Sequence, residues 1–342
     1  MRAWVSIAFI LATVSLSASL AVSQTTESLT STVPQSTESL AEVYETAMGH
    51  VEKGEHQEAL PLLRMVVADS ADFAAAHYNL GFVYERLGTL DSAGLAYRSA
   101  LSLDSTLVMA HYGLGTLSLR TGNREVAILH LRKATGYDPS FADAYLNLGN
   151  ALAATEDLDG AIVSLRKAID LRNDYADAYY QLGATMYRKA GSASEYGEVI
   201  DVYKKAVELD PQHVNASVAH FYLAKMYLDT QQYAEAVASA DNAVKVKPDL
   251  AQALFIKGKA LEGLDNTPEA IEAYKKAIEK KTPYGSAHYA LARLYQKSEQ
   301  YELALQEYKA AADDETFSGA DNALKAASSI ESYLKKKAAS GG

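Results

Sequence analysis

Residues 142–171 read ADAYLNLGNALAATEDLDGAIVSLRKAIDL, and the same pattern of residue sizes returns about every 34 residues between Leu40 and Ser318. A small residue occupies the eighth place of all the repeats: Ala47, Gly81, Gly115, Gly149, Gly183, Ala224, Gly258 and Ala292. A column that accepts only hydrogen or methyl side groups marks a close approach of two helices. The period therefore predicts a solenoid of stacked repeats.

Other columns within the repeat give its helices and turns. Ala or Val fills the twentieth and twenty-seventh places. A large residue fills the twenty-fourth in seven of the repeats: Leu63, Tyr97, Leu131, Leu165, Tyr203, Tyr274 and Tyr308. Large side chains facing small ones let helices pack at native density, and the spacings of three, four and seven are helical. Gly54, Gly88 and Gly122 fall midway, where a turn must separate helix A from helix B. Pro139, Pro211 and Pro248 stand where helix B must end.

These columns closely resemble the tetratricopeptide repeat, which combines Leu-Gly, Tyr, Ala, an aromatic residue and Pro at these offsets, most clearly in residues 109–138 and 142–171. The resemblance implies an all-α fold, a right-handed superhelical α-solenoid of helix–turn–helix repeats with a C-terminal capping helix. We predict eight repeats, at residues 40–73, 74–107, 108–141, 142–175, 176–213, 217–250, 251–284 and 285–318. The fifth repeat is the longest, and we assign its extra length to a longer A–B loop at residues 188–197.

Both ends of the chain differ from the repeats. Residues 1–23 have a basic residue, an apolar run and then small polar residues, the order of a secretory signal, and we predict cleavage after Ser23. The alternative is an uncleaved anchor, because residues 3–22 are about long enough to span a bilayer. Residues 24–39 are rich in Ser and Thr and are predicted to form a flexible linker.

At the other end, an apolar stripe at helical spacing predicts a capping helix at residues 319–337. The stripe consists of Ala320, Ala323, Leu324, Ala327, Ile330 and Leu334. Residues 338–342 are predicted to be a loose tail. We expect the mature chain to be exported, to a periplasm or to the outside of the cell, with no further membrane span.

The composition excludes some classes of function. The net charge of −11 argues against a nucleic-acid partner, since binding phosphates requires a clustered basic field. The sequence has no cysteine and therefore no thiol nucleophile. Histidines recur at the fourth place, as His77, His111, His220 and His288, but one per repeat is too widely spaced for a shared metal ion. We predict packing roles for these histidines, no metal, no cofactor and no enzymatic activity.

The resemblance implies that the A helices line a concave groove, with the fifth and ninth places pointing into it. Aromatic rings at the fifth place are the predicted partner-binding residues: Tyr78, Tyr112, Tyr180, Phe221, Phe255 and Tyr289. Such rings give large contact area at low entropic cost. The alternative is that they only pack against their neighbours.

Cations at the ninth place of the last three repeats, Lys225, Lys259 and Arg293, complete the predicted site. Met48 and Phe82 make the same column apolar toward the N-terminus. A partner with an apolar segment followed by acidic residues would match, unless the cations are simply solvated. We therefore predict a scaffold or adaptor that binds a peptide or helix of a partner protein. The alternative is a structural protein that forms homo-oligomers without a peptide ligand.

Overall fold

The computed structural model describes residues 39–340, and all the regular structure in that range is helical. The predicted signal (1–23) and residues 24–38 of the predicted linker lie outside the described residues. The helices form two compact bodies that divide after Pro139. The N-terminal body contains α1 (Leu40–Lys53), α2 (His56–Asp69), α3 (Ala74–Arg86), α4 (Leu90–Leu103), α5 (Val108–Arg120) and α6 (Arg124–Tyr137).

The C-terminal body continues the alternation of A and B helices. It contains α7 (Ala142–Ala154), α8 (Leu158–Leu171), α9 (Ala176–Lys189), α10 (Tyr196–Leu209), α11 (Ala216–Asp229), α12 (Tyr233–Val246), α13 (Ala251–Gly263), α14 (Thr267–Lys280), α15 (Gly285–Lys297), α16 (Tyr301–Ala312) and α17 (Ala320–Ser340). Each body is thus an all-α helical repeat solenoid.

The close contact predicted at the eighth place joins the two helices of one repeat. A Cβ atom added to Gly115 would lie 2.6 Å from Cγ of Leu131, and one added to Gly258 would lie 2.5 Å from Cε1 of Tyr274. The residue at the twenty-fourth place therefore fills the space that the missing side chain leaves. The alanines at the twentieth and twenty-seventh places are fully buried: Ala59, Ala93, Ala127, Ala161, Ala236, Ala270, Ala304, Ala100, Ala134, Ala168, Ala206, Ala243, Ala277 and Ala311.

The turn between helices A and B uses a left-handed residue at the fifteenth place. Gly54, Gly88 and Gly122 have φ of 78°, 79° and 80° there, as the glycine pattern predicts. Four other repeats adopt a positive φ at the same place with ordinary residues: Glu156, Gln231, Asp265 and Glu299. The next amide then bonds back to the end of helix A, as from Asp157 to the carbonyl of Leu152 at 3.1 Å. The turn geometry thus persists where glycine is absent.

Capping residues and prolines mark where several helices begin and end. Ser39 caps α1, and its side chain accepts from the amide of Glu42 in a capping box. Helices α6, α10 and α12 end two residues before Pro139, Pro211 and Pro248, since a proline disfavours the helical conformation of the residue before it. In the fifth repeat, a short 3-10 turn at Ala193–Glu195 occupies the extended loop.

The C-terminal helix differs from the prediction in two ways. Helix α17 continues to Ser340, so residues 338–340 are helical and not a loose tail, in keeping with the high helix propensity of Ala338 and Ala339. Residues 341–342 lie outside the described range. Ala323, Ala327 and Ile330 are buried beside α16, but Leu324 from the predicted stripe is 57% exposed.

The A helices of successive repeats contact one another directly within each body. Helix α3 contacts α5, and in the C-terminal body α9 contacts α7 and α11, which in turn contacts α13. A surface made by adjacent A helices therefore runs along each body. We call this surface the A-helix face, and it carries the fifth, ninth and twelfth places of the repeat.

The close packing of helices A and B predicts opposite effects for two glycine substitutions. Gly115→Ala should destabilise the chain by about 1–3 kcal/mol, because the new methyl group meets the buried side chain of Leu131. Gly49→Ala, in α1, should stabilise it by about 0.5–1 kcal/mol, because its Cβ meets nothing within 4 Å and alanine favours the helix. Urea denaturation checks both, and equal effects of the two changes would contradict the packing.

Candidate functional site

The aromatic rings at the fifth place are held in packing contacts within their own repeats. Tyr78 stacks on Tyr97, with ring centroids 5.8 Å apart, and burial raises the pKa of Tyr78. Phe255 touches the rings of Tyr274 and Tyr284 at 5.6 Å and 5.4 Å. These rings therefore join helix A to helix B and to the residue that precedes the next helix A.

Tyr289 follows the same arrangement, whereas Phe221 also packs on the next repeat. Tyr289 touches Tyr308 at 5.5 Å and Phe317 at 5.7 Å. Phe221 contacts Tyr222 at 5.3 Å and packs on the cluster that includes Ile256. Both rings are half-buried, as is Tyr112. Each keeps part of its surface open, so a partner could contact the exposed part.

Tyr180 differs from the other predicted rings because only 2% of it is exposed. Its ring stacks on His213 at 4.3 Å, and its hydroxyl donates to the backbone carbonyl of Asp210 at 2.7 Å. Burial raises the pKa of Tyr180 to about 12. The structure thus places Tyr180 in the core, and it cannot touch a ligand in this conformation.

The cations at the ninth place lie on the A-helix face, but they do not form a purely basic strip. Lys225 donates to the hydroxyl of Tyr187 at 2.6 Å and forms an ion pair with Asp229 at 3.6 Å. The hydrogen bond to Tyr187 is the main reason that the pKa of Lys225 is raised. Lys225 is therefore already engaged by the protein.

Lys259 and Arg293 line an open cleft of about 460 Å³ between the sixth and eighth repeats. Asp229, Glu262 and Tyr233 also line it, so the cleft carries both signs of charge. Within residues 39–340 neither Lys259 nor Arg293 forms an ion pair, and both are exposed. The amino group of Lys259 lies 5.9 Å from the centre of the Phe255 ring, so one predicted cation lies over one predicted aromatic residue.

Sequence reasoning missed a hydrogen bond that links the twenty-fourth place to the twelfth. Tyr97 donates to Glu85 at 2.9 Å, Tyr308 donates to Gln296 at 2.8 Å, and Tyr274 donates to Glu262. The sequence contains a signal for this bond: repeats with leucine at the twenty-fourth place carry an apolar residue at the twelfth, where no acceptor is needed. Those residues are Val51, Leu119 and Ala153.

The fifth repeat is the exception to this pairing. Its twelfth place is Tyr187, which accepts from Lys225, and the hydroxyl of Tyr203 is left buried with no hydrogen-bond partner in the described chain. Burial raises the pKa of Tyr203, with the neighbouring Tyr222 and Tyr187 adding to the effect. The tyrosine therefore keeps the shape of the helix contact without its hydrogen bond.

Three of the recurrent histidines at the fourth place, His77, His111 and His288, bond to protein groups. Nε2 of His77 donates to the carbonyl of Ala71 at 3.1 Å, and Nδ1 of His288 lies 2.6 Å from the carboxylate of Glu307. Among residues 39–340, no three or more His, Asp or Glu side chains are grouped so that they could hold a metal ion. No helix in the same range is both long and apolar enough to cross a bilayer.

Pairs of helices that repeat with a small residue of one helix against a large residue of the other place this chain in the class of α-helical repeat proteins. Family models of the tetratricopeptide repeat (TPR) match residues 44–107, 149–189 and 221–286, which together make up half of the chain. The chain belongs to the tetratricopeptide repeat family.

Curated relatives share only part of their length with this chain. Small glutamine-rich tetratricopeptide repeat-containing protein 2 of Mycosarcoma maydis is 36% identical over 91 residues, which cover 27% of this chain and 25% of that protein. Mitochondrial import receptor subunit TOM70 of Rattus norvegicus is 35% identical over 88 residues, covering 25% of this chain and 14% of the receptor.

Two solved structures share the fold. YrrB, described as a TPR protein with an unusual peptide-binding site, superposes with a TM-score of 0.50 at 23% identity, covering 56% of this chain and 95% of its own. PilF of Pseudomonas aeruginosa gives a TM-score of 0.50 at 17% identity, covering 66% of this chain and 96% of its own.

The hydrogen bond between the twenty-fourth and twelfth places predicts unequal effects for one substitution made in two repeats. Tyr97→Phe should destabilise the chain by about 1.5–3 kcal/mol, because it removes a bond to the carboxylate of Glu85. Tyr203→Phe removes the same atom but no bond, so it should leave stability unchanged or raise it. Chemical denaturation of the two variants checks this, and an equal loss in both would contradict the assignment.

Proposed function

We propose that the protein is a non-enzymatic scaffold whose A-helix face binds a segment of a partner protein. The observation that carries the proposal is the cleft in which Lys259 and Arg293 stand without ion-pair partners in the described chain. Membership of the tetratricopeptide repeat family supports it, since proteins of this family generally mediate protein–protein interactions. YrrB offers a precedent for peptide binding in the same fold.

The chemistry of the cleft favours a partner with both apolar and acidic groups. An exposed ion pair contributes only about 0.2–1 kcal/mol, so Lys259 and Arg293 would select and orient a carboxylate more than they would hold it. Affinity must come mainly from apolar contact with the open parts of Phe255 and Tyr289, because buried aromatic contacts dominate binding energy. Asp229 and Glu262 would repel a segment that is acidic throughout.

Contacts within the protein reduce the set of residues that can contact a partner directly. Lys225 would have to give up its bonds to Tyr187 and Asp229 to bind a partner, which reduces its net contribution. Tyr180 would act by holding the shape of the face, since it is buried. The residues that we propose to touch the partner are Phe255, Tyr289, Lys259 and Arg293, with Phe221 extending the face within the C-terminal body. Tyr78 and Tyr112 lie on the A-helix face of the N-terminal body.

Charge reversal in the cleft tests the proposal. Selection of random peptides displayed on phage against the chain should enrich sequences in which an apolar stretch precedes Asp or Glu. The double variant Lys259→Glu and Arg293→Glu should bind the selected peptides at least tenfold more weakly, because the carboxylate would then meet only like charges. Fluorescence polarisation of a labelled peptide measures the change.

Lys276→Glu is the matched control, since Lys276 is an exposed lysine on helix B in the seventh repeat. An equal loss of binding in this control would show that only the overall charge matters and would reject the cleft. The alternative function, self-assembly without a ligand, predicts no enriched peptide and a molar mass by light scattering that rises with concentration.

We further propose that the chain is exported, with residues 1–23 as the signal. Export predicts a mature N-terminus at Gln24, which mass spectrometry of the protein isolated from its native cells would detect. An intact Met1 on the mature protein would contradict cleavage and would favour the alternative of a retained anchor.

A further inference from the structure

A second cleft, of about 350 Å³, opens in the N-terminal body between α4, α5 and α6. Four basic side chains line it: Arg98, His111, His130 and Lys133. Ser102 and Ser105 add polar groups, and no carboxylate is among the lining residues. In a chain with a net charge of −11, this is a local concentration of positive and proton-accepting groups.

The two histidines are joined by a hydrogen bond whose donor and acceptor can be assigned. Nδ1 of His111 lies 2.9 Å from Nδ1 of His130, and Nε2 of His111 lies 3.1 Å from the backbone carbonyl of Ser105. Because a carbonyl only accepts, Nε2 of His111 carries the hydrogen, and its Nδ1 accepts from His130. In this arrangement Nε2 of His130 has no hydrogen, and it becomes a donor only when the ring is protonated.

The eighth repeat pairs a histidine at this position with a carboxylate. His288 and Glu307 occupy the fourth and twenty-third places there, and they form an ion pair at 2.6 Å. His111 and His130 occupy the same two places in the third repeat. An imidazole thus replaces the carboxylate, and the third repeat lacks the negative group that balances the eighth.

No carboxylate in the lining of the cleft supplies that negative charge. Within residues 39–340 neither Arg98 nor Lys133 forms an ion pair. The pKa of His130 is lowered to about 4, first by burial and then by His111, Lys133 and Arg98. The pKa of His111 is also lowered by burial, which the hydrogen bond to Ser105 and the charge of Asp104 oppose only in part. The cleft therefore holds the charges of Arg98 and Lys133 with no carboxylate in its lining.

We propose that this cleft binds a doubly charged oxyanion, the phosphate or sulfate group of a ligand, through Arg98, Lys133 and a protonated His130. Two fixed cations match a dianion, and the guanidinium group of Arg98 suits tetrahedral oxyanions. A metal ion fits less well, since two imidazoles are only half of a tetrahedral set and Arg98 and Lys133 would repel it. This site is separate from the A-helix cleft and does not depend on its proposed function.

The proposed site predicts binding that strengthens in acid. In the empty cleft His130 stays neutral down to low pH, because burial and three neighbouring basic groups oppose its protonation. A bound dianion favours the protonated ring and raises its pKa, so binding takes up a proton. Affinity should therefore rise as the pH falls from 8 to 5.

Titration with sulfate, which remains a dianion over this range, tests the site at constant ionic strength. Two-dimensional ¹H–¹⁵N spectra of the imidazoles should show shifts of His111 and His130 but not of His288. The affinity should increase at least fivefold from pH 8 to pH 5. Lys133→Gln and His130→Glu should each weaken sulfate binding at least fivefold. His130→Glu does so because it puts a carboxylate in the third repeat where the eighth repeat has Glu307, and this carboxylate repels the anion.

Lys276→Gln is the matched control, because Lys276 occupies the same place in the seventh repeat as Lys133 does in the third. It should not change sulfate affinity. No shift of His111 and His130, or an equal loss in Lys276→Gln, would overturn the proposal. Parallel titrations with inorganic phosphate and phosphoserine show whether the bound group belongs to an ester or is a free ion. Tighter binding of phosphoserine indicates an esterified ligand, and tighter binding of inorganic phosphate indicates a free ion.

Discussion

The contact between a glycine or alanine on helix A and a large side chain on helix B is the constraint on which seven of the eight repeats depend. At Gly115 and Gly258 the space that a Cβ would take is already filled by Leu131 and Tyr274. The two helices can approach this closely only because one of them has no side chain at the crossing. The angle and depth of this crossing fix where every other place of the repeat points.

The chemistry of the A-helix face follows from the choice of the large side chain. A leucine such as Leu131 ends inside the core, whereas a tyrosine such as Tyr274 brings a hydroxyl through to the twelfth place. There it needs an acceptor, and Glu262 supplies one. The same carboxylate lines the cleft with Lys259 and Arg293. A packing requirement of the core thus places a negative charge at the proposed binding surface.

The fold was predictable from the sequence because its decisive columns are local and periodic. Helix pairs, buried alanines and proline stops all follow from residue size and spacing. The left-handed turns at Glu156 and Asp265 were not predictable from glycine, since here the repeat geometry overrides the preference of the residue. The end of α17 was also misplaced, because a run of helix formers gives no stop signal.

The site was less predictable because it depends on contacts between places that are far apart in the sequence. The pattern placed Tyr180 on the correct helix, but only the structure shows that His213 covers it. The pairing of Lys225 with Tyr187 joins two repeats, and no column describes it. Likewise, the pair formed by His111 and His130 requires the distance between two helices, although the analogous His288 and Glu307 stand at the same places.

A double-mutant cycle between the two sides of one helix crossing tests the central claim most directly. Free energies of unfolding would be measured for Gly258→Ala, Tyr274→Ala and the double variant. If the tyrosine ring fills the space at Gly258, the added methyl should be harmful only while the ring is present. We expect a favourable coupling of about 1–3 kcal/mol between the two substitutions. Additive losses would contradict it.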